Sequence, residues 1–455
     1  MSTPQSASTK RAKRPRGLLA SRKTTGNPAE SEPAAKRARG EDTPPQDPEE
    51  LKLQDWQDLE ELFGNALDAL YGPNWTSAIP LIRGVLHECA RMVTVYNDPT
   101  LIYSPLEAET QVGLEKAPAS AFYTIYASAW FIMSTFARSD PSLLTEDEPE
   151  EALEYLLSAL SACKKGEQAL DVRKQTKAWD VSRFFIHIPH FQANLKKYVG
   201  TRIQLEFTWG RVLVAAAQSL SDSEDEPRVS ENGTTDARAH FLGPGPSAAL
   251  ARAFEHLTYG IDHRPRYTDS DSEAKDEQKS KEERFVRALL ESAQGVLATS
   301  ESLQSEESLP ILHLEKCREF LHQVEEMSVP EELRVQVILV LGQINLAIGS
   351  SIAEKFEEDS NAEDDTGSEG LETRKVAIGS LKEAVAKFDA VRELCSKQST
   401  EKAESVVEEL KPMLQEALVT LATLLPEGPE QERMYSRYQA EGGILDDEDD
   451  EDDEE

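Results

Sequence analysis

The chain has 455 residues, 39% of them hydrophobic and 7% aromatic, with 49 Lys and Arg against 84 Asp and Glu for a net charge of −35. A chain this long exceeds what one compact core supports, so it holds several domains or one elongated repeat array, with much of its length solvated. The excess of negative charge repels nucleic-acid phosphates, which excludes direct DNA or RNA binding by the folded part and favours basic partners.

In chain order, residues 1–48 are rich in Ser, Thr, Pro, Lys and Arg and carry almost no large apolar side chain apart from Leu18 and Leu19. Such a head cannot bury enough surface to offset the entropy of ordering, and it is predicted to be disordered. Within residues 1–40, ten Lys and Arg face only Glu30 and Glu32, so this stretch carries +8 and the rest of the chain −43. Eight of them form two clusters, Lys10, Arg11, Lys13, Arg14 and Arg16, then Lys36, Arg37 and Arg39. Extended basic side chains on a flexible segment suit the acidic, aromatic groove of an import receptor, which predicts a nuclear location with a cytoplasmic pool; a nonspecific basic arm touching RNA is the other reading. No signal peptide opens the sequence and no run approaches the ~18 to 20 apolar residues of a membrane span, so no membrane partner is expected. Asn74-Trp75-Thr76 and Asn232-Gly233-Thr234 then match the glycosylation pattern by chance.

From Leu51 the pattern is helical. Leu51, Trp56, Leu59, Phe63, Leu67 and Leu70 recur at three-and-four spacing up to Gly72-Pro73. A second helix, about 77–96, carries Ile79, Ile82, Leu86, Cys89 and Val93 on one face. A third, about 117–138, is lined by Phe122, Tyr126, Trp130 and Met133, and its partner, about 149–165, by Leu153, Leu156, Leu157, Leu160 and Cys163. Tyr126-Ala127-x-x-Trp130 and Ala152-x-x-x-Leu156-x-x-Ala159 resemble the two helices of a tetratricopeptide repeat, where small residues admit a neighbouring helix and an aromatic fills the gap. The connection from Ser139 to Pro149 is long for that repeat, and an ordinary helical bundle gives the same spacing. Ile203, Leu205, Phe207 and Trp209 alternate as a strand does, while Ile203, Phe207, Gly210 and Val214 fit a helical face; helix is preferred because no second strand is available.

The repeat signature returns with Leu341-Gly342 in a helix of about 331–356 and with Ala377, Leu381, Ala384, Phe388 and Val391 in one of about 371–396. Helices of about 401–425 and 431–439 follow. The reading is an all-α fold, an α-solenoid of degenerate tetratricopeptide-like hairpins over residues 49–442. It has inserts at about 221–246, 264–281 and 357–370, the first containing the turn Gly243-Pro244-Gly245-Pro246, and an acidic disordered tail at 443–455. Ser221, Ser223 and Ser270 lie in acidic runs of the kind acidophilic kinases modify, or else in plain hydrophilic loops.

Catalytic and metal patterns fail on spacing. His87-Glu88-Cys89 lacks the second histidine a zinc-protease helix needs, since Arg91 holds that position. His187 with His190, and His313 with Cys317, have no partner set at recognised spacing, and Cys89, Cys163, Cys317 and Cys395 stand singly in apolar stretches as core residues. No phosphate-binding loop or nucleophile elbow is present, so no enzyme and no cofactor are expected.

Lys13-Arg14-Pro15-Arg16-Gly17-Leu18 in the basic head, followed by Gly84-Val85-Leu86-His87-Glu88-Cys89-Ala90-Arg91-Met92 on an early helix, resembles the fungal enhancer of translation termination family, which includes a nuclear negative regulator of a prolyl hydroxylase. The resemblance implies an all-helical nuclear protein that binds an iron- and 2-oxoglutarate-dependent prolyl hydroxylase acting on a ribosomal protein, and that influences termination at stop codons. The residues themselves support two readings: an adaptor that captures a protein partner on its helical surface, or an acidic chaperone for basic clients such as histones or ribosomal proteins.

Overall fold

The computed structural model describes residues 48–96, 119–176, 189–222, 234–263, 274–303, 309–325, 327, 329–361, 368–398 and 401–444. Among them every regular element is helical. The helices are α1 Pro48–Leu70, α2 Ile79–Tyr96, α3 Ala119–Ser139, α4 Ala152–Thr176, α5 Pro189–Ser221, α6 Thr234–Leu242 and α7 Pro246–Asp262, followed by α8 Ala274–Ser302, α9 Leu309–Glu325, α10 Glu331–Asn361, α11 Ser368–Ser396, α12 Glu401–Leu424 and α13 Pro429–Ala440. Short 3-10 turns at Trp75–Ala78 and Pro141–Leu143 enter the loops, the second capped by the Asp140 carboxylate, which accepts from the Ser142 amide at 3.0 Å.

The body, Glu49–Glu455, forms one unit. Its helices pair as α1 with α2, α3 with α4, α5 with α7, α8 with α9, α10 with α11 and α12 with α13. The first members of successive pairs also touch, α3 to α5, α5 to α8, α8 to α10 and α10 to α12, and a second row runs α4, α6, α7, α9. Each pair leaves an apolar stripe that only its neighbours cover, which is the packing logic of an α-solenoid. Its core falls into three connected apolar clusters rather than one centre.

The repeat signature works as its spacing predicts. Ala127, Leu156 and Ala159 are fully buried, as are Ala377, Leu381, Ala384, Phe388 and Val391. Gly342 is the clearest case: a Cβ there would lie 2.5 Å from Phe388 Cε1, so the α10 backbone approaches α11 over a gap that the phenyl ring fills. Full burial of a ring of this size stabilises by about 1.5 to 3 kcal/mol. The 203–209 segment is helix, with Ile203, Leu205 and Val214 buried, and Gly210 lets Leu257 of α7 reach the α5 backbone, where a Cβ would meet Leu257 Cγ at 2.6 Å.

Several boundaries differ from the sequence reading. The stretch set apart as an insert at 221–246 contains α6, whose Leu242 is fully buried in the core. Gly243, at φ +75°, ends that helix in the left-handed region, and Pro246 opens α7 after Gly245. Helix α8 already begins at Ala274, inside the 264–281 insert, and the 357–370 insert narrows because α10 runs to Asn361 and α11 starts at Ser368. Helix α4 continues to Thr176, beyond the expected 165. Leu51, expected on the packed face of α1, is 44% exposed.

The expectation that no segment matches a membrane span is also corrected. Residues Glu331–Glu357 of α10 are long and apolar enough to cross a bilayer by length and composition. Most of that stretch is buried against α8, α9, α11 and α12, as befits the central helix of a core.

Candidate partner-binding face

The import-signal residues Lys10 to Arg39, and Ser223 and Ser270, lie outside the described residues, as does His187. Ser221 is the last residue of α5 rather than part of a loop, and its hydroxyl donates to the Ala217 carbonyl at 3.1 Å. The four cysteines are buried, and burial pushes the thiols of Cys89, Cys163 and Cys317 well above their usual range. His313 is buried with its ring parallel to Phe254 at 5.4 Å, and burial followed by nearby Lys316 depresses its pKa, so it is neutral at pH 7. No group of three or more His, Cys, Asp or Glu able to hold a metal ion occurs among the described residues.

The motif Gly84 to Met92 lies on α2. Its Val85, Cys89 and Met92 are fully buried against α1 and α3, while Arg91 donates to Glu88 at 2.9 Å and pairs with Asp55 of α1 at 2.7 Å. The Tyr96 hydroxyl donates to the same Asp55 carboxylate. Apolar and charged residues of the motif therefore both lock the first hairpin, and His87 and Ala90 are left facing solvent.

Residues that sequence spacing does not single out meet between α1, α3, α5 and α8. Arg284 of α8 donates to Asp68 of α1 at 3.0 Å, joining the first helical pair to the fourth. Beside them Arg211 of α5 pairs with Glu291 of α8 at 2.6 Å, and its guanidinium lies 4.8 Å from the centre of the Phe131 ring of α3. Arg287 pairs with Glu283 one turn earlier, at 2.7 Å. Tyr71, just past α1, stands among these charges. Burial, then Glu291, pushes its hydroxyl pKa up against the opposing pull of Arg211, Arg284 and Arg287, yet the side chain stays 42% exposed. Tyr71 is thus an exposed aromatic beside a cluster of paired guanidinium groups, the Tyr71 cluster. Three guanidinium forks near one exposed aromatic suit binding, since each fork retains donors beyond the ones its partner uses.

A second polar cluster ties α5 to α7. Glu206, 8% exposed, accepts from His256 Nδ1 at 2.7 Å and from Arg202 Nε at 3.3 Å. Burial alone would raise its carboxyl, but the hydrogen bond and charge of His256 and the charge of Arg202 outweigh that and hold it below the ordinary carboxylate range. Trp209 stacks on His256 at 4.3 Å, and Arg202 lies over Tyr259 at 4.8 Å. At the far end of α5, Arg138 of α3 donates to the Ala215 carbonyl at 3.0 Å and to the Ser219 hydroxyl at 2.7 Å, closing the last turn of the helix. The arginines of both clusters are paired within the fold, but Asp68 and Glu291 are 70% and 51% exposed against 10% for Glu206, so the Tyr71 cluster is the more accessible candidate for a partner.

No family model matches the sequence, and no curated protein matches it. One solved structure, described as the hypoxic regulator of sterol synthesis that is a nuclear import adaptor, is 13% identical with a TM-score of 0.47, covering 87% of this chain and 90% of that one. Another, a circular tandem repeat protein with a novel repeat topology, is 14% identical with a TM-score of 0.33, covering 86% of this chain and 71% of that one. Both likenesses are too low to carry an argument, and the all-α solenoid stands on the helices of this chain itself.

Proposed function

We propose that the chain is a non-enzymatic nuclear adaptor, imported through its basic head, that captures protein partners on the row of first helices. The observation that carries this reading is the Tyr71 cluster, where α1, α3, α5 and α8 bring together residues up to 216 positions apart with binding chemistry. The family resemblance supplies the finer proposal: the partner is a 2-oxoglutarate-dependent prolyl hydroxylase acting on a ribosomal protein, or a component of the termination machinery, and the outcome is altered stop-codon termination. The solved structure described as a nuclear import adaptor bears that description for itself alone.

A charge of −43 outside the first 40 residues favours a second reading, an acidic chaperone for histones or ribosomal proteins. One experiment separates the two. Crosslinking pull-downs from nuclear extract are run with the full chain and with a chain lacking Asp446–Glu455. An adaptor recovers a hydroxylase or termination component with both; a chaperone recovers basic clients that vanish with the tail and with added salt. Recovery of neither class by a chain with intact helical circular dichroism rejects both readings.

A further inference from the structure

Arg138 of α3 reaches across to the last turns of α5, and its hydrogen bonds there all go to neutral acceptors: Gln218 Oε1 at 2.5 Å, the Ala215 carbonyl at 3.0 Å and the Ser219 hydroxyl at 2.7 Å. No carboxylate among the described residues pairs with it, although the chain carries 84 acidic side chains. Desolvation at the joint lowers its pKa, and the charge of Asp222, one residue past the helix, opposes this. A desolvated cation with neutral partners favours an anion delivered to the same spot.

Ser219 is where such an anion can be made. It is the first of three serines, with Ser221 and Ser223, that each have an acidic residue three positions on, Asp222, Glu224 and Glu226, which is the spacing acidophilic kinases read. The fold separates the first two. The Ser221 hydroxyl is turned back to the Ala217 carbonyl at 3.1 Å, whereas the Ser219 hydroxyl faces the guanidinium.

We propose that Ser219 is a phosphorylation site and that Arg138 is the receptor for its phosphate, so that modification clamps α3 to α5. In the transfer the Ser219 Oγ–P bond forms as the terminal phosphoanhydride bond of ATP breaks, ADP leaves, and the hydroxyl proton passes to a general base of the kinase. A phosphate in the last turn of a helix is ordinarily repelled by the carbonyl end of the dipole. Here Arg138 already lies over that end. Three of the five N–H groups of its guanidinium are engaged, so the phosphate takes the one now on the Ser219 hydroxyl together with one still spare. Ser219 is half-buried and two residues from the end of α5, where helices fray; the kinase takes the turn open and the phosphate then holds it shut. This inference goes beyond the adaptor reading and does not depend on it.

The test treats the full chain with a purified acidophilic serine kinase, magnesium and ATP, maps the phosphate by tandem mass spectrometry, and follows amide hydrogen exchange over Ala215–Ser221 before and after. The expected result is phosphate on Ser219 and exchange slowed by roughly tenfold, an effect absent from Ser219→Ala and lost in Arg138→Gln phosphorylated at the same serine. Arg138→Lys, which keeps the charge but not the fork, should retain only part of it. Comparing modified with unmodified wild type needs no variant, so a poorly folded Arg138→Gln leaves the test intact. Phosphate confined to Ser221 or Ser223, or no incorporation, overturns the inference. So does phosphate on Ser219 with unchanged or faster exchange, or equal slowing in Arg138→Gln.

Discussion

Glu206 is a buried carboxylate kept ionised by its neighbours, and this makes stability of the α5–α7 joint depend on pH in a definite direction. Its folded pKa lies below the ordinary value of 4.5, so the stabilisation is complete above that value and is lost as pH falls through the folded pKa. Glu206→Gln removes the charge that His256 and Arg202 face. It should lower stability near pH 7 by about 1 to 3 kcal/mol and flatten the acid limb of the curve. Thermal melts of both proteins across the acid range check this, and an unchanged acid limb would refute the role given to Glu206. The same contrast of burial and charge separates the histidines: His313, buried among Phe254 and Lys316, is neutral packing, whereas His256 orients a carboxylate.

Helix α10 approaches α11 closely where Gly342 faces Phe388. Gly342→Val should destabilise by about 1 to 3 kcal/mol through overpacking, and a second change, Phe388→Leu, should recover part of the loss because the two sites share one contact. Equilibrium denaturation of the two single variants and the double variant measures the coupling, and simple additivity would contradict a shared contact. This pair was legible in the sequence, since a small residue and an aromatic at repeat spacing have few other uses. Helix boundaries were less so. Residues 274–284 of α8 and 357–361 of α10 contain no large apolar side chain, so periodicity is silent there; in 274–284 the intrinsic helix preference of Ala, Lys, Glu, Gln and Arg extends the helix beyond its apolar positions. The Tyr71 cluster was not legible at all. Arg284 and Asp68 are 216 positions apart and Arg211 and Glu291 are 80 apart, and only the tertiary packing of their helices makes them neighbours. The motif on α2 was legible as a pattern, but its buried Val85, Cys89 and Met92 serve the first hairpin's own packing.

For the whole molecule, charge is divided by length: +8 within the first 40 residues and −43 beyond. A basic head on an acidic body suits a carrier that must be recognised at one end and avoid nucleic acid along the rest. Replacing Lys13, Arg14, Lys36 and Arg37 by alanine should leave a fluorescent fusion in the cytoplasm, and unchanged nuclear accumulation would reject the import assignment. Helix α10 adds a constraint from biosynthesis. From Val335 to Ile352 it has no charged residue, and it leaves the ribosome before α11, its main cover, has been made. An uncharged stretch of that length is what membrane-targeting machinery reads. Asn345 lies at its middle, fully buried, donating to the Leu341 carbonyl and accepting from Arg318 of α9 at 3.2 Å. The buried amide therefore ties this apolar helix to α9 through a charged donor that a lipid environment would not supply.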